Sequence, residues 1–187
     1  MYGYIKGVVT KITPKNIIVE NNNIGYLIIV PNPYNYQLNE TYMIHTHLYC
    51  REDVFDLYGF QSYEEKELFL KLISVSGIGP KSALTMLASG TVNEIINAIE
   101  SKNDSYLRKF PGIGSKASQQ IILDLAGKLS YQGLDLNIPS SSKLDDVEDA
   151  LVALGYSKKE ASKVVSKLDA SLSEGELVKE ALKKLVR

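Results

Sequence analysis

Two short segments of the chain carry the same glycine pattern followed by a lysine. Gly77-Ile78-Gly79 precedes Lys81, and Gly112-Ile113-Gly114 precedes Lys116, 35 residues further along. Glycine adopts backbone conformations that other residues avoid, and the open amides at a helix start bind anions. A lysine beside such amides adds positive charge. The doubled pattern favours two turns that hold phosphate groups over two tight corners that only reverse the chain.

Each glycine turn lies between two apolar patterns of helical spacing. Capping boxes at Ser62–Glu65 and Thr91–Glu94 predict the starts of two of these helices. A helix, a Gly-x-Gly turn and a second helix are similar to the helix-hairpin-helix motif, which contacts DNA backbones without reading sequence. The candidate phosphate-binding residues are Ser76, Gly77, Ile78, Gly79, Pro80, Lys81 and Ser82 in the first turn and Pro111, Gly112, Ile113, Gly114, Ser115 and Lys116 in the second.

The glycines of these turns have two predicted roles. Gly77 is expected to end a helix in the left-handed conformation, and Pro80 suits the first position of the next helix. Gly79 and Gly114 are expected to need a conformation or a close approach that a side chain would obstruct.

The turns do not fit a nucleotide site. A phosphate loop needs Gly-Lys-Ser/Thr, but Pro80 precedes Lys81 and Ser115 precedes Lys116. A dinucleotide fingerprint needs a third glycine, which Ser82 and Ala117 replace. We therefore expect no cofactor and no ATP site in this chain.

Residues 1–61 contain five short segments rich in Ile, Val, Tyr and Thr, separated by turn residues. Five such strands predict a small all-β barrel of the OB-fold type. Between the last two strands, Glu52 and Asp53 form an acidic hairpin tip. Three interpretations are open for this tip: a solvated loop, a Mg²⁺ site for nuclease chemistry, and an acidic pin that repels DNA strands.

Three predicted domains follow from these patterns and from the C-terminal sequence. Residues 1–61 form the barrel, and 62–130 form an all-α domain that contains both glycine turns. Residues 131–143 are rich in Ser, Gly and Pro and predict a flexible linker. Residues 144–187 carry three amphipathic helical patterns and predict a small all-α three-helix bundle.

Bulk properties narrow the class of protein. The net charge is −1 over 187 residues, which argues mildly against extensive nucleic-acid binding. The sequence has one cysteine and no apolar run that could cross a membrane. We expect a cytoplasmic protein without a membrane partner. His45 and His47 share a strand face, but two ligands rarely make a metal site, so no metal is expected.

Several segments together resemble the RuvA family of bacterial Holliday junction-binding proteins. They are "MYGYIKG", "REDVFDLYGF", "GIGPKSAL", "LRKFPGIGSKAS" and "ALVALGYSKKEA", and they are spread over the whole chain. The resemblance implies a non-catalytic homotetramer, or an octamer on DNA, that holds a four-way junction open. Glu52 and Asp53 would be its acidic pin. The C-terminal bundle would recruit the hexameric RuvB ATPase through Leu151, Leu154 and Tyr156, and the RuvC resolvase would be a further partner.

Two rival functions remain open from the sequence. A structure-selective nuclease or glycosylase would need a catalytic Asp or Lys beside the glycine turns. A protein-interaction module is the other rival, because the last bundle is similar to ubiquitin-associated domains.

Overall fold

The computed structural model describes residues 2–129, 143–166, 168 and 172–185. By its internal contacts the chain divides into two compact units, Met1–Gly133 and Leu134–Arg187. The predicted linker at 131–143 lies outside the described residues except for Lys143, which begins a helix. None of the helices in the described part of the chain is long and apolar enough to span a membrane.

The first unit begins with five strands: β1 Tyr4–Ile12, β2 Asn16–Asn21, β3 Ile24–Ile29, β4 Thr41–Arg51 and β5 Val54–Phe60. They form a closed barrel in the order β1-β2-β3-β5-β4, with β4 pairing back onto β1. Only the β3–β5 pair is parallel. This arrangement confirms the predicted five-stranded barrel of the OB-fold type.

Alternating side chains of the strands fill the barrel. The fully or almost fully buried aliphatic residues include Ile5, Val9, Ile17, Val19, Ile28 and Ile44. Ile5 and Val9 are four positions apart in β1, and Ile17 and Val19 are two apart in β2, so each pair lies on the same, inner face of its strand. The β2–β3 hairpin turns at Asn22 and Asn23, which have φ values of 48° and 62°. Asparagine tolerates this left-handed region better than most residues, which explains why the hairpin turns at these two positions.

Five helices complete the first unit: α1 Tyr63–Ile73, α2 Pro80–Ser89, α3 Val92–Glu100, α4 Asp104–Leu107 and α5 Ser115–Leu125. The Ser62 hydroxyl caps α1 by accepting from the Glu65 amide, at 3.2 Å. The Glu65 carboxylate accepts from the Gln61 amide rather than from Ser62, so this capping box is displaced by one residue. At α3 the capping box of Thr91 and Glu94 is complete.

Phe69 of α1 joins the helices to the barrel. Its side chain is fully buried, and its ring centroid lies 4.9 Å from that of Phe60 and 5.1 Å from that of Tyr58. The His47 ring lies 6.2 Å away. Burial lowers the pKa of His47, and the nearby charge of Lys66 lowers it further. His47 is therefore uncharged at neutral pH and acts as a packing residue.

The second unit is built from α6 Lys143–Ala153, α7 Lys158–Val165 and α8 Glu174–Leu185. Ser157 and Glu160 form a complete capping box at the start of α7. The three helices share one apolar core, which confirms the predicted all-α C-terminal bundle. The buried residues of this core are Val147, Leu151, Ala161, Val165, Leu168, Leu177 and Ala181.

We expect Phe69→Ala to destabilise the first unit by about 3–5 kcal/mol, because it leaves a cavity between α1 and the barrel. Tyr63→Ala on the same helix is the matched control, since the Tyr63 side chain is half exposed. Denaturant unfolding followed by circular dichroism measures both changes. Equal, small losses for the two variants would show that the aromatic contact does not hold the helices to the barrel.

Candidate nucleic-acid interface

The two glycine turns have the same backbone geometry. Gly77 and Gly112 both have φ of +85°, which confirms the predicted left-handed conformation at Gly77. One residue later, the amides of Ile78 and Ile113 each donate to a carbonyl three residues back, at 3.1 Å in both turns. Both isoleucine side chains are buried, whereas the flanking glycines are exposed. Each turn is therefore anchored by its isoleucine and presents its glycine backbone outward.

The helices that follow the turns begin with open amides. Gly79 is the N-cap of α2 and Gly114 is the N-cap of α5, and neither has a side chain that could cap the helix. The other three helices of this unit are capped by Ser62, Thr91 and Asn103. Pro80, the first residue of α2, has no N–H, so the open amides of that helix are those of Lys81 and Ser82. Within the described residues, no acceptor bonds to these amides or to those of Ser115 and Lys116 in α5. Such amides, together with the helix dipole, attract an anion.

Gly79 and Gly114 do not need glycine for their own conformation. Their φ values, −99° and −88°, lie in the extended region that every residue adopts. The expectation of a special conformation at these positions is therefore wrong. A side-chain Cβ at either position would also meet no atom within 4 Å. A side chain at either position would instead fill the open space in front of the helix-start amides, where a bound molecule could approach them.

The two turns are neighbours in space. A Cβ placed on Gly112 would lie 3.7 Å from the hydroxyl oxygen of Ser82, which belongs to the first turn of α2. Lys81 and Lys116 are both exposed beside their turns. The fold thus places two turns of similar geometry, each followed by open helix-start amides, next to each other.

A buried polar contact that no sequence pattern predicts supports the second turn. The hydroxyl of Ser118 is wholly buried and lies within hydrogen-bond reach of the Asp104 carboxylate and of the carbonyl oxygens of Gly114 and Ser115. The other carboxylate oxygen of Asp104 pairs with Arg108 Nε at 2.9 Å. Arg108 is consequently held next to the second turn.

The acidic tip extends beyond the barrel as the turn between β4 and β5. Glu52 and Asp53 are exposed, and neither forms an ion pair with a described residue. Arg51 Nε donates to the Tyr49 hydroxyl at 3.2 Å, which raises the pKa of Arg51. The described residues include no group of three or more His, Cys, Asp or Glu side chains that could hold a metal ion. The adjacent Phe55 is 77% exposed, which the sequence did not predict.

In the C-terminal unit, one of the three candidate docking residues does not lie at the surface. Leu151 is wholly buried in the core, so its prediction as a surface contact is wrong. Leu154 is 60% exposed, and Tyr156 packs partly against the core. Val152, which is not among the predicted docking residues, is 41% exposed. The exposed apolar surface at the end of α6 therefore consists of Val152 and Leu154.

A closed barrel followed by paired helix-hairpin-helix turns with open amides defines a DNA-binding protein of the tandem helix-hairpin-helix class. The family model of the RuvA N-terminal domain matches residues 1–59, that of the SAM-like helix-hairpin-helix tandem matches 69–126, and that of the RuvA C-terminal domain matches 142–186. The chain belongs to the RuvA family.

Curated relatives match the chain over its full length. The Holliday junction branch migration complex subunit RuvA of Acholeplasma laidlawii is 51% identical over 187 residues, covering 100% of both chains. The protein of the same name from Streptococcus pneumoniae is 45% identical over 197 aligned positions, again covering 100% of both.

We expect Gly114→Asp to separate folding from DNA binding. Aspartate is a good N-cap residue and fits the observed backbone, so α5 should stay folded with its stability unchanged or raised by a few tenths of a kcal/mol. Its carboxylate would occupy the open amides and repel phosphate, so DNA binding should fall at least about ten-fold. Fluorescence anisotropy with labelled DNA measures the affinity, and thermal unfolding measures the stability. Gly3→Asp is the control, because Gly3 also has open space around it. Unchanged affinity in the folded Gly114→Asp variant would contradict the phosphate-binding role of this turn.

Proposed function

We propose that the chain is the junction-binding subunit of a branch-migration complex. In this role it binds four-way (Holliday) DNA junctions in recombination and DNA repair and recruits an ATPase motor. The observation that carries the proposal is the pair of adjacent turns with matching geometry and open helix-start amides. Membership of the RuvA family supports it as well.

In this proposal the two turns bind the phosphate groups of DNA. The residues proposed to contact DNA are Ser76 to Ser82 in the first turn and Pro111 to Lys116 in the second. Amides and lysines bind backbone phosphates and carry no base readout, so the two turns position the protein on a duplex without selecting a sequence. Selectivity for a junction must then arise from how several subunits are arranged, and we propose a homotetramer, with an octamer as a further state on DNA.

Glu52 and Asp53 supply this selectivity as an acidic pin. Carboxylates at an exposed tip repel DNA phosphates, so a continuous duplex that crosses the tip is disfavoured. A junction held open around four such tips places its arms beside them and avoids the repulsion.

The subunit itself is non-catalytic, and we propose that it acts in the cytoplasm with the hexameric RuvB ATPase and the RuvC resolvase. In this division of labour residues 1–61 and 62–130 bind DNA, and 144–187 dock the motor through a linker at 131–143. The docking surface is Val152 and Leu154, with Tyr156 supporting it from the core.

We expect the double change Glu52→Gln and Asp53→Asn to raise affinity for linear duplex more than affinity for a four-way junction. Each charge removed should strengthen duplex binding by up to about five-fold, because these side chains are exposed and partly screened. Gel-shift titrations of the parent and the variant, at one fixed salt concentration, measure both affinities.

The same titrations test the proposed function as a whole. The parent should prefer the junction, and an equal affinity for both DNAs would contradict a junction-binding role. Cleavage of the junction on addition of Mg²⁺ would favour the nuclease alternative instead. If neither affinity changes in the variant, the tip is a solvated loop.

We expect Leu154→Glu to abolish stimulation of the RuvB ATPase while leaving junction binding unchanged. A charge at the exposed apolar surface would be buried on docking without a partner, which is costly. Lys159→Glu, at an exposed position of α7, controls for the added negative charge. ATP hydrolysis in the presence of junction DNA is the measurement. Full stimulation by the Leu154→Glu variant would place the docking surface elsewhere.

A further inference from the structure

A groove in the first unit connects the barrel with the first glycine turn. It has a volume of about 480 Å³ and lies between the β1–β2 turn, the end of β3 and one side of α2. Ile29, Tyr58 and Leu84 contribute to its lining, and Lys15 and Lys81 also line it. No carboxylate is among the lining residues. Two ammonium groups are therefore the only charges among the residues that line the groove.

Asp56, the acidic residue that contacts the lining residue Tyr58, is already hydrogen-bonded. The Tyr58 hydroxyl donates to the Asp56 carboxylate at 3.2 Å. Burial raises the pKa of Tyr58 to about 12, and the charge of Asp56 contributes to the shift, so this hydroxyl remains a donor at neutral pH. Neither Lys15 nor Lys81 forms an ion pair within the described residues. Both lysines are thus available to an anion.

The backbone that carries Lys15 is fixed by its neighbours. The Thr13 hydroxyl oxygen accepts from the amide of Asn16 at 3.1 Å and from that of Lys15 at 3.4 Å. The Thr13 amide donates to the Asn16 carbonyl at 2.9 Å, which closes the turn. Because this turn is rigidly bonded, Lys15 enters the groove from a defined position, with its side chain exposed.

The two glycine turns differ in their local positive charge. Arg108 and Lys109 precede the second turn, whereas the corresponding positions before the first turn are Ile73 and Ser74. The first turn therefore lacks the adjacent basic pair of the second. Lys15, brought in from the barrel, is the residue that shares a groove with Lys81.

We propose that Lys15 is a further DNA-positioning residue, which binds a backbone phosphate of the strand held by the first glycine turn. In this arrangement the strand passes from the open amides at the start of α2 along the mouth of the groove. Lys15 supplies there the charge that Lys109 supplies at the second turn, where Arg108 is paired with Asp104. This inference rests on the proposed DNA-binding function and adds the barrel to the binding surface.

The test compares Lys15→Ala with Lys11→Ala in the full-length protein, using a fixed four-way junction. Lys11 is an exposed lysine of β1 that does not line the groove. Lys15→Ala should weaken binding about three- to ten-fold near 0.1 M salt and reduce the slope of log affinity against log salt by about one. Lys15→Arg should keep both values near those of the parent. Lys11→Ala should change neither.

Two results would overturn the inference. One is an affinity and a salt slope for Lys15→Ala that equal those of Lys11→Ala. The other is a different assembly mass for Lys15→Ala in sedimentation, which would mean that Lys15 contacts a neighbouring subunit.

Lys81→Ala, measured in parallel, separates this inference from the proposed function. If Lys81→Ala weakens binding and Lys15→Ala does not, only the role of Lys15 fails. If Lys81→Ala and Gly114→Asp both bind as the parent does, the glycine turns do not hold DNA and the proposed function fails with them.

Discussion

The packing of Phe69 against the barrel is the contact on which the arrangement of the first unit depends. Its ring is fully buried between α1 and strand β5, close to Phe60 and Tyr58. Helix α1 leads directly into the first glycine turn, so this contact fixes where that turn lies relative to the barrel. The groove that contains Lys15 and Lys81 exists only because α2 is held beside β3. A small aromatic cluster thereby holds the barrel and the helices of this unit together as one continuous surface.

The glycines of the two turns separate into those that the chain requires and those that it does not. Gly77 and Gly112 have a left-handed backbone, which explains them without reference to any ligand. Gly79 and Gly114 have an ordinary extended backbone and open surroundings, so the stability of the chain does not explain them. A serine or an aspartate would cap these helices better. The absence of a capping side chain leaves the amides free, which is consistent with the proposed binding of phosphate there.

Local patterns in the sequence predict much of this structure, and tertiary contacts account for what they miss. The barrel strands, the Asn22–Asn23 turn and the glycine turns follow from spacing and from backbone preferences. The Ser118–Asp104 bond and the Lys15 groove join residues that are distant in sequence, so no local pattern reveals them. Leu151 shows a related limit. Helical spacing identifies an apolar face but not whether a neighbouring helix covers it.

The near-neutral charge of the chain is compatible with DNA binding because open backbone amides and a few exposed lysines lie together at the two glycine turns. Backbone amides contribute to anion binding without adding to the net charge. A few lysines beside the turns complete the surface, while Glu52 and Asp53 stand apart at the barrel tip. With few charges in each subunit, one copy would bind duplex weakly and with a shallow dependence on salt. Useful affinity then requires several subunits to engage several arms at once, so weak individual contacts favour a branched DNA over a linear one.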